Sequence, residues 1–208
     1  MQQPHRQTEL LFPTPIHLVQ FTNLEFCARA KNAVYNIDHT ERLSNDELHW
    51  CTPDDLHLRT EFTELKTIVM SEVSLYLDEL GVIRDGEKMT CMWANVAKSK
   101  NRHAVHMHPN SFLSGVIYLS APGVAGNIGF KDPRPGAEIL AFNYKEDSVF
   151  KYRTREVVPQ EGLLVLFPSW LQHGTTRGNF EDSDDRISLS FNILPTGNFT
   201  DYSRRISL

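Results

Sequence analysis

Apolar and polar positions alternate with two different periods along this chain, and the change between them falls near residue 87. Over residues 54–80, Leu58, Phe62, Leu65, Val69, Val73, Tyr76 and Leu80 recur at spacings of three and four, which predicts one apolar stripe on a long helix. Thr52-Pro53-Asp54-Asp55 reads as its start, with a Thr cap, Pro in the first turn and acids at the positive end of the helix dipole. Gly81 closes it. A second, less regular helix is predicted over about residues 20–35.

After residue 87 the texture becomes short runs of Val, Ile, Phe, Tyr and Thr cut by Gly, Pro, Asn and Asp. Strands are expected at roughly 88–97, 103–109, 113–120, 127–131, 137–143, 148–154, 163–167, 171–176, 185–194 and 199–205. So many strands without intervening helices imply an antiparallel sandwich or barrel, with the helices packed on the outside of one sheet. In Arg186-Ile-Ser-Leu-Ser-Phe-Asn-Ile193 the alternation is unbroken: Arg186, Ser188, Ser190 and Asn192 share one face, and Ile187, Leu189, Phe191 and Ile193 the other. The apolar face is expected to meet the long helix. The polar face either lines a water-accessible cavity, the reading preferred here, or simply meets solvent.

At 208 residues the chain suits one domain, with residues 1–86 as a helical part and 87–208 as a β core. With 40% hydrophobic and 23% charged residues, it has an ordinary globular composition. A net charge of −5 gives no reason to expect nucleic acid as a partner. No apolar run is long enough to span a membrane and the N-terminus has no secretion-signal pattern, so no membrane partner and a cytoplasmic location are expected. Cys27, Cys51 and Cys91, odd in number and widely spaced, suit reduced thiols.

The chemistry concentrates in three places. His106-Met-His108-Pro offers two imidazoles that an extended strand would place on one side, with α-carbons about 6.6 Å apart. His173 follows 65 residues after His108, at the end of an apolar run. Together the three form a candidate metal site. Parity in a regular strand turns His103 the other way, and His5, His17, His39, His49 and His57 lie in the helical half without partner spacing. Arg186, 13 residues past His173 (186 − 173), has the planar fork that grips a carboxylate, and Ser188 shares its face. The alternative for Arg186 is a salt bridge to the acidic run 181–185. Trp93, Tyr118 and Trp170 are candidates for lining a pocket.

From Trp93-Ala-Asn95 through His106-Met-His108-Pro109, Ser114-Gly-Val-Ile-Tyr-Leu119, Asp132-Pro-Arg134 and Phe167-Pro-Ser-Trp-Leu-Gln-His173 to Ile193, the chain resembles the 2-oxoglutarate- and Fe(II)-dependent oxygenase superfamily. It is most similar to a small bacterial and phage group carrying the His-x-His-Pro motif, and the opening Leu11-Phe-Pro-Thr-Pro extends the likeness. The resemblance implies a double-stranded β-helix (jelly-roll, cupin-like barrel), Fe(II) as metal, 2-oxoglutarate and O₂ as cosubstrates, and oxidative decarboxylation to succinate and CO₂ coupled to hydroxylation of a C–H bond. It also implies His106 and His173 as iron ligands, and Arg186 with Ser188 as the grip on the far carboxylate of 2-oxoglutarate. Asn95 and Ser114 are added as cosubstrate-pocket candidates from their parity beside the motif.

The chain departs from the superfamily at His108, which stands where most members have Asp or Glu. Three arrangements are open: a three-histidine centre, two protein ligands with His108 behind them, or Asp132 supplying the carboxylate, although its place before Pro133 suits a turn. Two rival functions are a cupin-type metalloenzyme that does not use 2-oxoglutarate and a non-catalytic jelly-roll module holding zinc or nothing. The substrate is open among a small metabolite, a protein side chain, and a sugar or lipid precursor.

Overall fold

The structure is a computed structural model that describes residues 11–38, 49–136, 153–181 and 183–198, with shorter stretches at 5, 7–9, 43–46, 139, 143–146, 148 and 150. Among these residues it is mostly β, with two α-helices and two antiparallel sheets. The elements run β1 (His17–Gln20), α1 (Glu25–Tyr35), β2 (Leu43–Asp46), β3 (His49–Cys51), α2 (Thr63–Glu79), β4 (Gly86–Ala97), β5 (Leu113–Ser120), β6 (Ile128–Lys131), β7 (Thr154–Val157), β8 (Leu163–Pro168), β9 (His173–Thr175) and β10 (Arg186–Thr196). The larger sheet has the order β1-β8-β5-β10-β4-β3-β2 and the smaller β7-β6-β9.

The alternation in β10 organises the core. Its apolar residues Ile187, Leu189, Phe191 and Ile193 are fully buried in one cluster with Leu65, Val69, Val73 and Leu77 of α2 and Phe26, Ala30 and Val34 of α1. A second cluster, with Val116 and Tyr118 of β5, Ile128 and Phe130 of β6, and Val165 and Phe167 of β8, lies between the two sheets. Strand β8 feeds both: Leu164 and Leu166 face the helices while Leu163, Val165 and Phe167 face the other sheet, so all six of its residues are buried. Gly115 makes the helix-side packing possible, because a Cβ there would lie 2.3 Å from the ring of Phe191 and 2.7 Å from Leu166.

The first half differs from the expected helical arm, since it also contributes β1, β2 and β3 to the larger sheet. The long helix starts at Thr63, after two 3-10 turns at Leu56–Leu58 and Thr60–Phe62. Thr52 caps no helix. Its hydroxyl accepts from the backbone N–H of Ala94 at 2.9 Å, and the Met92 N–H donates to the Asp54 carbonyl at 2.9 Å, so residues 52–55 are held along β4. These ladder-like bonds satisfy backbone donors of β4 that a helix starting at residue 54 would leave without partners. Leu58 consequently leaves the apolar stripe and is 74% exposed, whereas Leu56 and Phe62 are buried. The second helix begins at Glu25, five residues later than expected.

The expected strands 88–97, 113–120, 127–131, 163–167, 171–176 and 185–194 correspond to β4, β5, β6, β8, β9 and β10, with shifted ends. That at 137–143 falls largely, and that at 199–205 entirely, outside the described residues; of 148–154 the described residues are 148, 150, 153 and 154, and among these only Thr154, the first residue of β7, is in a strand. Residues 103–109 form no ladder strand, only an isolated bridge between His106 and His173. Among the described residues no helix is long and apolar enough to cross a membrane.

Gly115→Ala should destabilise the protein by about 2 kcal/mol through overpacking against Phe191. Urea denaturation checks this; an unchanged midpoint would mean that Phe191 has room to move.

Candidate active site

The polar face of β10 looks into the space between the sheets. Across the larger sheet, Arg186 is opposite Ala97, Ser188 opposite Asn95 and Ser190 opposite Trp93, while on the other side Ser188 is opposite Tyr118 and Ser190 opposite Val116. Directly paired residues share a face. From the smaller sheet Ile128 and Phe130, paired with Thr175 and His173, face the same space. A cavity of about 80 Å³, room for several waters, is lined there by His103, His106, His108 and His173 on one part and by Asn95, Tyr118, Arg186 and Ser188 on another.

His106 and His108 reach this cavity from an irregular segment. It runs antiparallel to residues 169–175 and is tied to them at three points. His106 and His173 exchange backbone bonds of 2.9 and 3.0 Å, the His108 N–H donates to Ser169 at 3.0 Å, and the Thr175 N–H donates to the His103 carbonyl at 3.1 Å. Gly174 allows the close approach, since a Cβ there would stand 2.9 Å from the His103 carbonyl oxygen. Between the anchors His103 and His106 the segment advances three residues while its partner advances two, from His173 to Thr175. That extra residue undoes the parity of a regular strand. His103 therefore lines the cavity, contrary to the expectation from alternation.

The ligand atoms of His106, His108 and His173 all lie within 4.8 Å of one another, and among the described residues no carboxylate joins the group. Nδ1 of His106 donates to the Ala104 carbonyl at 2.8 Å and Nδ1 of His173 to the Leu171 carbonyl at 2.9 Å. A carbonyl oxygen only accepts, so each Nδ1 carries the proton and each Nε2 keeps its lone pair. Nε2 of His108 stands 3.2 Å from Nε2 of His173. Imidazole nitrogens bound about 2.1 Å from a divalent ion at right angles to each other are about 3 Å apart, so the spacing and donor chemistry fit a metal centre. Phe167 and Phe130 hold the His173 ring at centroid distances of 4.5 and 6.0 Å, and Trp93 flanks His108 at 5.8 Å.

Burial lowers the His108 and His173 imidazoles to about 4, with the neighbouring His106 adding to the effect; at His173 the Leu171 carbonyl works in the opposite direction. His103 is also lowered to about 4, chiefly by burial and then by His49 and Arg186. All three are neutral at pH 7.

Arg186 is 6% exposed and its Nε is buried without a hydrogen-bond partner. Among the described residues no carboxylate pairs with it: Asp185 instead binds Lys98 at 2.9 Å and the Tyr35 hydroxyl at 3.0 Å. Its guanidinium lies 5.2 Å from the centre of the Tyr118 ring, whose hydroxyl is likewise buried and unpartnered. Burial raises the Tyr118 phenol, with Arg186 opposing, and it remains a neutral donor. Ser188 is 3% and Asn95 8% exposed. Ser114 is placed elsewhere. It is absent from the cavity lining, and its hydroxyl donates to Asn192 Oδ1 at 2.8 Å and lies 2.8 Å from Ser169 Oγ. Asp132 stays in its turn, accepting from Arg134 Nε at 2.9 Å, with its carboxyl held below the usual range by that guanidinium. Trp170, 54% exposed, is not part of the lining, whereas Trp93 and Tyr118 are.

Sequence reasoning passed over His49 and His103. His49 is 4% exposed, with Nε2 3.3 Å from Asn95 Oδ1 and its ring edge-on to His103 at 5.0 Å. Its period-two position in a three-residue strand leaves no readable signal.

For the metal-free protein, imidazoles depressed to about 4 bind protons in the unfolded chain first. Their contribution to stability is therefore full above the ordinary value near 6.5 and lost as pH falls toward 4. The melting temperature should drop by roughly 5 °C over that window, and His108→Leu should flatten the drop. An unchanged slope in that variant would show that His108 does not titrate with unfolding.

Residues 91–192 match the family described as "Putative 2OG-Fe(II) oxygenase". No curated protein matches the sequence. Among solved structures the chain is similar to the non-heme α-ketoglutarate-dependent epimerase SnoN from nogalamycin biosynthesis, at a TM-score of 0.67 and 14% identity over 89% of this chain and 80% of that one. HygX from Streptomyces hygroscopicus, crystallised with nickel and 2-oxoglutarate, gives a TM-score of 0.61 at 14% identity, covering 88% and 84%. A Pseudomonas putida prolyl-4-hydroxylase gives 0.58 at 14% identity, covering 88% and 94%. At these identities the likeness is one of fold, and the family match covers the segment that carries the three imidazoles and Arg186. Residues 91–192, just under half of this chain, are thus similar in sequence to the family described as putative 2-oxoglutarate- and Fe(II)-dependent oxygenases.

Proposed function

We propose that this protein is a 2-oxoglutarate- and Fe(II)-dependent oxygenase that hydroxylates a substrate C–H bond, with His106, His108 and His173 as its metal ligands. The observation that carries the reading is a buried guanidinium, Arg186, without a carboxylate partner among the described residues, on the wall of the same cavity as three converging imidazoles. A buried cation costs several kcal/mol when unpaired. A dicarboxylate that reaches the imidazole cluster with one end would remove that cost with the other. Neither the cupin reading nor a plain zinc module gives Arg186 a role.

When bound, Fe(II) with 2-oxoglutarate and O₂ supplies the oxidation, and the keto acid leaves as succinate and CO₂. The chain's part is to bind, orient and exclude. His106 and His173 present Nε2 because backbone carbonyls hold their Nδ1 protons. His108 presents a neutral imidazole in place of the usual anion, so a dianionic cosubstrate meets a centre one positive charge higher than in a His-x-Asp site. Arg186 and Ser188 take the far carboxylate, and the Tyr118 hydroxyl, which the sequence reading did not assign to the cosubstrate, donates to it as well. Asn95 and Ser190 are the remaining polar groups on that wall. Phe167, Ile128 and Val116 supply apolar lining to the cavity and limit water there.

We read the two sheets as the walls of a double-stranded β-helix within one domain, since β8 packs into both apolar clusters. The three cysteines are free thiols, which suits a reducing cytoplasm. The substrate is a small molecule or a protein side chain.

Adding 2-oxoglutarate, Fe(II) and O₂ without substrate should yield slow succinate formation. Arg186→Ala should raise the 2-oxoglutarate requirement at least about 10-fold, the size expected for charge-assisted bonds, with metal content intact. Wild-type cosubstrate use by that variant would overturn the assignment. His173→Ala should abolish metal binding as measured by metal analysis after dialysis. His108→Asp should retain metal and some turnover; full metal binding by His108→Ala would instead place His108 outside the coordination sphere.

A further inference from the structure

We propose that His49 is a positioning residue for the cosubstrate: by donating to Asn95 Oδ1 it turns the Asn95 amide nitrogen toward the carboxylate held beside Arg186 and Ser188. The inference rests on the cosubstrate reading above. It adds a residue from β3, outside the segment 91–192 that matches the family.

The register of three adjacent strands brings these groups together. His49 is opposite Ala97, which is opposite Arg186, and one step along, Cys51 is opposite Asn95, which is opposite Ser188. Both rows lie on the cavity face. Ala97, between His49 and Arg186 in this row, carries only a methyl group. His49 Nε2 stands 3.3 Å from Asn95 Oδ1, and Asn95 Nδ2 donates to Ser190 Oγ at 3.3 Å.

A carboxamide has two ends of nearly equal shape and opposite polarity, so only its partners decide which end faces the cavity. The Ser190 hydroxyl can donate or accept and does not discriminate. An imidazole with its proton on Nε2 does discriminate, because it can meet only the oxygen. With Oδ1 held by His49 and one Nδ2 hydrogen on Ser190, the second Nδ2 hydrogen is left for a ligand in the cavity that Asn95 lines. A flipped amide would turn oxygen lone pairs toward an anion. The edge-on contact with His103, at 87° between ring planes, fixes the plane of the His49 ring.

The test is calorimetric titration of 2-oxoglutarate into the full-length Mn(II)-loaded protein without oxygen, which reads affinity apart from turnover. His49→Leu should weaken binding about 10-fold, as expected for losing one oriented hydrogen bond to a charged ligand. Metal content should be unchanged and the melting temperature should stay within about 3 °C. His49→Gln, which keeps a donor, should restore most of the affinity. In an Asn95→Ala background His49→Leu should have no further effect, because a residue that acts only through Asn95 is not additive with its loss.

Additive weakening in that background would overturn the proposal, as would wild-type affinity in His49→Leu while Arg186→Ala binds poorly. Undiminished binding by Arg186→Ala would sink the cosubstrate reading, and this inference with it. Nitrogen chemical shifts of the wild-type protein give an independent check that needs no variant. The proton of His49 should be on Nε2, and a proton on Nδ1 alone would overturn the assignment.

Discussion

One strand with two unlike faces holds this structure together. β10 sits between β5 and β4 in the larger sheet, and its odd and even residues serve different purposes. Ile187, Leu189, Phe191 and Ile193 are covered by both helices, while Arg186, Ser188 and Ser190 point into the cavity. A slip of one residue in its pairing would exchange the faces, placing a guanidinium under the helices and four large apolar side chains in the cavity. The register is therefore specified by the hydrophobic effect on one side, and the site on the other side inherits its alignment. Asn95 and Tyr118 meet Ser188 across that alignment.

The opposite wall is built differently. The segment bearing His106 and His108 gains its order from residues 169–175, through a few backbone bonds and the close contact that Gly174 permits. The imidazoles then orient one another: two have their inner nitrogens engaged by carbonyls, and aromatic rings hold His173 and His108 in place. The result is a cavity with four imidazoles and a guanidinium and, among its lining residues, no acid. Such a wall leaves the Arg186 guanidinium without a counter-charge among the described residues, the feature on which the proposed function rests.

The N-terminal half does more than shield the sheet. Residues 52–55 lie along β4, and the Thr52 hydroxyl satisfies a backbone donor of that strand. β3 extends the cavity face by one strand and brings an imidazole against Asn95. The helices thus act on the site by fixing the register of β10 from behind the sheet, whereas β3, paired with β4, acts by adding a polar side chain beside Asn95. The three described cysteines form no disulfide, so this arrangement depends on packing and hydrogen bonds.

What the sequence determined by itself is whatever a local period encodes. The faces of β10, the helical stripe from Phe62 to Tyr76, most of the β-rich half and the imidazole pair two residues apart are all readable, because side-chain direction follows from backbone geometry over a few residues. The grouping of His106, His108 and His173 was legible as motifs, and the cavity role of Arg186 as a parity argument. Other features were decided only by contacts between distant segments. Thr52 turned from a helix cap into a partner of β4, Ser114 was taken up by Asn192 and Ser169, and His49 met Asn95. The one-residue excess between His103 and His106 brought His103 into the cavity. No local period records which donor meets which acceptor across the sheet, and that pairing is settled only when the whole chain satisfies its buried polar groups at once.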